Sequence, residues 1–180
     1  MNIHPLFVHF PIALLVAYSV LEIAAYLWPS VRRLSWLFPT KAFLLFAGML
    51  GAFAALLTGS IAAELLEAGG NPTASVVEVH AVSAATTTAL YLILAAAYLN
   101  RVFDRAGWFD RVAASSKFLA WGWNAKKYLA HLILDTWLLP VLALLAFAGM
   151  TVTGALGAAI VYGPDTDPLV SFIYSLFFAR

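Results

Sequence analysis

The chain has 180 residues, 63% of them hydrophobic, and a mean hydropathy of +0.90, well above the roughly 45–50% apolar content of a soluble domain. A formal net charge of +1 leaves no electrostatic footprint for nucleic acid. The absence of cysteine excludes disulfides, thiolate metal sites, cysteine-ligated iron–sulfur clusters and c-type haem attachment within this chain.

Four apolar blocks are long enough to cross a hydrocarbon core of about 30 Å, which takes roughly 20 helical residues. They cover residues 5–28, 42–66, 76–99 and 136–162. The first opens on MNIHPLFVHFP and closes at Trp28, Pro29 and Ser30 with Arg32 and Arg33 behind them. It is no signal peptide by its composition, lacking a basic leading region and a small-residue cleavage site. Gly69, Gly70, Asn71 and Pro72 separate the second block from the third, and Asn100, Arg101 and Asp104 end the third. The fourth stops at Gly163 and Pro164, a helix-ending pair.

Residues 100–130 mix charges with Trp108, Phe118, Trp121, Trp123 and Tyr128, the pattern of an amphipathic helix lying in the membrane interface. The apolar tail, residues 168–179, is too short to cross and suits the outer interface or a docking partner. No tandem repeat is evident. The expected fold is an all-α integral membrane four-helix bundle over residues 1–163, with an interfacial cytoplasmic helix and a short C-terminal tail over 164–180.

Basic residues set the expected orientation. Arg32, Arg33 and Lys41 lie between spans one and two, and Arg101, Arg105, Arg111, Lys117, Lys126 and Lys127 between spans three and four. The other side carries Arg180 with Glu64, Glu67, Glu78, Asp165 and Asp167. The positive-inside rule then puts both basic loops in the cytoplasm of a bacterial inner membrane and both termini in the periplasm.

Four histidines are present. His9 and His80 each lie four residues into an odd-numbered span, which places both about one turn inside the outer face at 1.5 Å per residue. His4 falls at the surface, Glu64 and Tyr162 reach the same level, and His131 belongs to the opposite edge. Two imidazoles facing each other in a bundle are an axial ligand pair for haem iron. On this reading His9 and His80 hold haem b. Ala13, Ala17, Ala84 and Thr87 make room on the same helix faces, and Glu64, Glu78 or Tyr162 accept from the second ring nitrogens. A divalent zinc or copper ion held by His4, His9, His80 and Glu64 is the alternative. His4 and His9 are about 140° apart on a regular helix, so that set needs residues 1–8 to be irregular, with Pro11 restarting the helix. The plain alternative has His9 and His80 bonding across helices as packing contacts and His4 capping the helix. Glu22, inside span one, either reaches the cytoplasmic interface or pairs with Arg32 or Arg33. The small residues Gly48, Gly51, Ala55 and Gly59 of span two, and Gly149, Gly154, Gly157 and Ala158 of span four, allow close helix approach.

The segment IHPLFVHFPIALL, residues 3–15, resembles the signature of the domain-of-unknown-function 2231 family of predicted bacterial membrane proteins. Leu57-Thr58-Gly59, Val79-His80-Ala81 with Thr86 to Thr88, Gly154-Ala155-Leu156-Gly157 and Ile160-Val161-Tyr162-Gly163 are similar to further motifs of that family. Two features depart from it, a longer basic loop over residues 101–130 and Ala158 in place of the second glycine of the final motif. The resemblance covers residues 3–163. It implies a four-helix membrane protein with histidines on helices one and three, in a redox setting beside c-type cytochromes and Rieske-type proteins.

The expected function is that of a membrane b-type cytochrome-like subunit, passing electrons near the periplasmic face to a c-type cytochrome or a quinone-linked complex. No catalytic nucleophile or acid–base pair is evident, so a stand-alone enzyme is not expected. A cofactor-free structural or assembly subunit, and a histidine metal-binding membrane protein, are the other readings. Transport is disfavoured, because the middles of the spans offer little polarity beyond threonine and glycine.

Overall fold

The computed structural model describes residues 3–68 and 74–178. The break at Gly69, Gly70, Asn71 and Pro72, the residues Ala179 and Arg180, and the side chains of Glu67 and Trp108 lie outside the described residues. Eight helices follow one another: α1 (His4–Leu27), α2 (Pro29–Arg32), α3 (Leu37–Ala68), α4 (Ala74–Ala106), α5 (Trp108–Ala113), α6 (Lys117–Leu134), α7 (Leu138–Tyr162) and α8 (Pro168–Phe178). There is no strand among the described residues. α1, α3, α4 and α7 are long and apolar enough to span a bilayer.

Where the helices end is decided by backbone chemistry. Trp28 turns extended ahead of Pro29, as a residue before proline prefers, and α1 stops there. α7 ends where Gly163 takes a φ of 93°, a conformation open to a residue without a Cβ. Asp167 then caps α8, its Oδ1 accepting from the Leu169 and Val170 amides at 2.8 and 3.0 Å, with Pro168 at the first helical position. Span three runs past Leu99 to Ala106, and the expected interfacial helix is α6 with α5 ahead of it. Phe118, Trp121 and Tyr128 are exposed on α6, while Trp123 is buried, stacked on Phe109 and donating to Asp110 at 3.2 Å. At the turn into α7, burial opposes the charge on Asp135, but its bonds to Arg101 and His131 outweigh it and hold the carboxyl below its ordinary range.

The four spans form two antiparallel hairpins, α1 with α3 and α4 with α7; α3 also packs on α4, and α1 on α7. α1 and α4 therefore stand on one diagonal and point the same way. The register of the hairpins repeats. A Cβ at Gly59 would meet His4, and seven residues on in α1, eight back in α3, a Cβ at Gly51 would meet Pro11. A Cβ at Gly157 would meet His80, and the same steps of seven and eight lead to Thr87 against Gly149. The chain is thus a parallel repeat about an axis along the bundle, a feature its linear sequence does not display.

The diagonal is bridged by side chains. Leu15, Leu45, Met49, Leu94 and Ala146 surround a column of Tyr91, Tyr18 and Tyr98, all fully or almost fully buried. The rings meet edge to face, with centroids 6.3 Å apart for Tyr91 and Tyr18 and 5.7 Å for Tyr18 and Tyr98. Ser19 Oγ and Tyr91 Oη share a 2.9 Å hydrogen bond. Tyr98 donates to Glu22 Oε1, and Glu22 Oε2 takes the Lys41 ammonium at 2.7 Å. The partner of Glu22 is therefore Lys41 of α3 rather than Arg32 or Arg33. The reason is helical register: Lys41 faces α1 within the first turns of α3 and is itself buried.

Candidate functional site

α1 opens directly at His4, with Pro5 at its first turn, where a missing amide hydrogen costs nothing. Pro11 sits inside the helix without breaking it. Residues 4–8 are regular helix and not the irregular segment that a shared ion at His4 and His9 requires, and the two rings diverge around the axis. His4 turns toward α3, where its Nδ1 meets Thr58 Oγ1 at 3.1 Å. His9 is exposed, and its Nδ1 donates to the Pro5 carbonyl of its own helix at 2.7 Å.

His80 turns toward α7, where its Nδ1 meets the Thr153 carbonyl at 3.0 Å. By the register of the two hairpins it stands at the level of His4, one ring at Gly157 and the other at Gly59. The structure thus places His80 and His4 at the same end of the diagonal, each on its own hairpin partner, and leaves His9 on the outer surface. His131, beside Asp135 at 2.6 Å, is at the other end, as expected.

The hydrogen bonds decide which nitrogen of each neutral ring carries the proton. A carbonyl only accepts, so His80 Nδ1 is the N–H donor. Thr58 Oγ1 gives its own proton to the Ala54 and Ala55 carbonyls at 2.9 and 3.2 Å, so toward His4 it acts as acceptor, and His4 Nδ1 is again the donor. The neutral His80 ring thus carries its lone pair on Nε2, while His4 also bonds the Ala55 carbonyl. Each ring also approaches a neighbouring helix, through its Cε1 side, at a glycine. A Cβ at Gly59 would stand 3.1 Å from His4 Cε1, and one at Gly157 would stand 3.2 Å from His80 Cε1.

Below His80 the interior face of α4 stays polar for two turns. Ser83 Oγ meets Thr153 Oγ1 at 2.9 Å, Thr87 Oγ1 lies 3.4 Å from the same oxygen, and Thr153 donates to the Gly149 carbonyl at 2.8 Å. These bonds fix Thr153, and through it the His80 ring.

Other expected participants lie elsewhere. Glu64, Glu78 and Tyr162 are exposed, as is Ala13, whereas Ala84 is half-buried and Thr87 is buried. No group of three or more histidine and carboxylate side chains that would hold a metal ion occurs among the described residues, so His4, His9, His80 and Glu64 do not assemble there as one ion site. The sequence reading overlooked Thr58 and Thr153 as ring partners. Their signal was present all the same: Thr58 and Gly59 stand together in one family-like motif, and Gly157 in another.

No curated protein and no solved structure matches the chain. A family model, described as predicted membrane protein (DUF2231), matches residues 1–166. With the first motif forming the turn that carries His4, and the later motifs supplying the glycines beneath both rings, the chain belongs to the DUF2231 family of predicted membrane proteins.

Proposed function

We propose that this protein is a haem-binding electron-transfer subunit of a bacterial inner membrane, with His4 and His80 as the axial pair near the periplasmic face. One observation carries the reading: two histidines from diagonal helices, at the same end of the bundle, each have Nδ1 held by an oxygen of the neighbouring helix. Ligating histidines commonly bond their second nitrogen to an acceptor in this way, which orients the ring and raises its basicity. The donor set fits haem iron, since two imidazoles would hold it from either side and leave a site suited to electron transfer. Haem, when bound, supplies a one-electron couple. The chain's own residues do the rest. Thr58 and the Thr153 carbonyl orient the rings, and Gly59 and Gly157 let them lie against helix backbone. His9 is outside this pair in our reading.

The basic ends of the spans support an orientation with both termini in the periplasm, where a c-type cytochrome or a quinone-linked complex is the expected partner. The test is the absorption spectrum of detergent-purified protein, oxidised and dithionite-reduced. A Soret band that shifts on reduction is expected. It should be lost in His4→Ala and in His80→Ala and kept in His9→Ala. Colourless, folded protein from haem-replete cells would overturn the proposal, as would an unchanged spectrum in His4→Ala and His80→Ala.

A cofactor-free assembly subunit is the second reading. The same hydrogen bonds favour it, because each histidine is already engaged by its own hairpin partner. Colourless protein that copurifies with a larger membrane complex would support it.

A further inference from the structure

At the end of the bundle opposite His4 and His80, the helix termini line a cleft of about 550 Å³. Glu22 and Lys41 form its floor, Arg32, Arg101 and Arg105 stand around it, and Asp135 and Trp137 lie on its α7 side. Four cations thus face two carboxylates. The pairing is uneven. Lys41 is matched with Glu22, and Arg101 with Asp135. Among the described residues, Arg32 and Arg105 have no carboxylate within salt-bridge distance, and Arg105 rests its guanidinium on the Phe38 ring, 3.9 Å from the centroid. The cleft therefore carries an uncompensated positive charge that an anion would neutralise.

A second observation says which anion. Tyr26, Trp28, Trp36 and Trp137 are all exposed around the same level, where the spans His4–Leu27, Leu37–Leu66 and Leu138–Tyr162 begin or end. Exposed tryptophan and tyrosine at span ends mark the depth of phospholipid headgroups. The cleft thus opens at the plane in which lipid phosphates lie, and basic pockets between spans at this depth suit anionic headgroups.

We propose that this cleft binds the headgroup of an anionic phospholipid, with Arg32 and Arg105 contacting its phosphate. A zwitterionic lipid brings its own cation into a site already crowded with arginine and lysine, so the site discriminates by net headgroup charge. The acyl chains run along the apolar flank toward the bilayer centre.

The test is native mass spectrometry of the full chain in mild detergent, titrated with dioleoyl-phosphatidylglycerol or dioleoyl-phosphatidylcholine. Phosphatidylglycerol should be retained at clearly lower concentration. Arg32→Gln with Arg105→Gln should weaken that retention roughly thirtyfold, and either change alone roughly fivefold. Arg111→Gln with Lys117→Gln removes the same charge from exposed positions outside the cleft and should leave the preference intact. Equal retention of the two lipids would overturn the proposal, as would an unchanged preference in the cleft variants or an equal loss in the outside pair. Inorganic phosphate is the last arm. If millimolar phosphate displaces phosphatidylglycerol, the site takes a free anion and the lipid assignment fails.

Discussion

The buried tyrosines show how much a single hydroxyl matters in this bundle. Tyr98 Oη donates to a charged carboxylate, whereas Tyr18 Oη is buried beside Glu22 and Tyr98 without a hydrogen bond of good geometry. A bond to a charged group contributes about 1.5–3 kcal/mol, while an unsatisfied buried hydroxyl costs about 1–3 kcal/mol. The two Tyr→Phe changes should therefore differ in effect. Tyr98→Phe is expected to lower stability by about 2 kcal/mol, and Tyr18→Phe to leave it unchanged or raise it. Thermal unfolding in detergent, followed by circular dichroism, reads both. At this scale the sequence was only partly legible. It singled out histidines of the first and third spans as candidates. Which of His4 and His9 turns toward a neighbouring helix depends on the rotation of α1 about its axis, and that is set by Pro11 and Leu15 packing on Gly51 and Gly48. No count along the first eleven residues contains those contacts.

Helix packing makes the glycines unequal. A Cβ at Gly149 would come within 2.5 Å of Thr87 Oγ1, a short side chain that is itself buried, whereas a Cβ at Gly154 meets nothing within 4 Å. Gly149→Ala should destabilise the protein by about 1–3 kcal/mol through overpacking. Gly154→Ala, at an exposed helical position, should stabilise it by up to about 1 kcal/mol. Chemical unfolding of the two variants in the same detergent separates the effects. The elements themselves were well announced by hydropathy, because a span must satisfy its backbone internally and carry an apolar surface. Their ends were less so. Hydropathy loses α4 at Asn100, yet the helix continues to Ala106 because its last turns pack against α5 and α6 rather than lipid. The small-residue stripes were visible as stripes. Their register against His4 and His80, which makes the molecule a repeat, was not, since the facing residues differ between the halves.

Across the whole molecule, the largest electrostatic commitment is the Glu22–Lys41 pair, 2% and 8% exposed. Removing one member strands the other in a low-dielectric interior, a loss of about 3–5 kcal/mol, whereas replacing a buried polar set wholesale by apolar groups is close to neutral. Lys41→Met alone should destabilise by that amount. Glu22→Leu, Lys41→Met and Tyr98→Phe together should recover most of it, as measured by unfolding in detergent. Failure of the triple change to recover stability would mean that the pair does more than neutralise itself.

The place of that pair within the first hairpin also bears on how the protein is made. Glu22 and Lys41 both belong to α1 and α3, so a nascent chain holds the acid and its base before α4 is translated. The tyrosine bridge to Glu22 and the placing of His80 at the level of His4 arise only afterwards, when the second hairpin arrives. The early half therefore enters the bilayer with its buried carboxylate already matched, and the two ends of the diagonal are joined last.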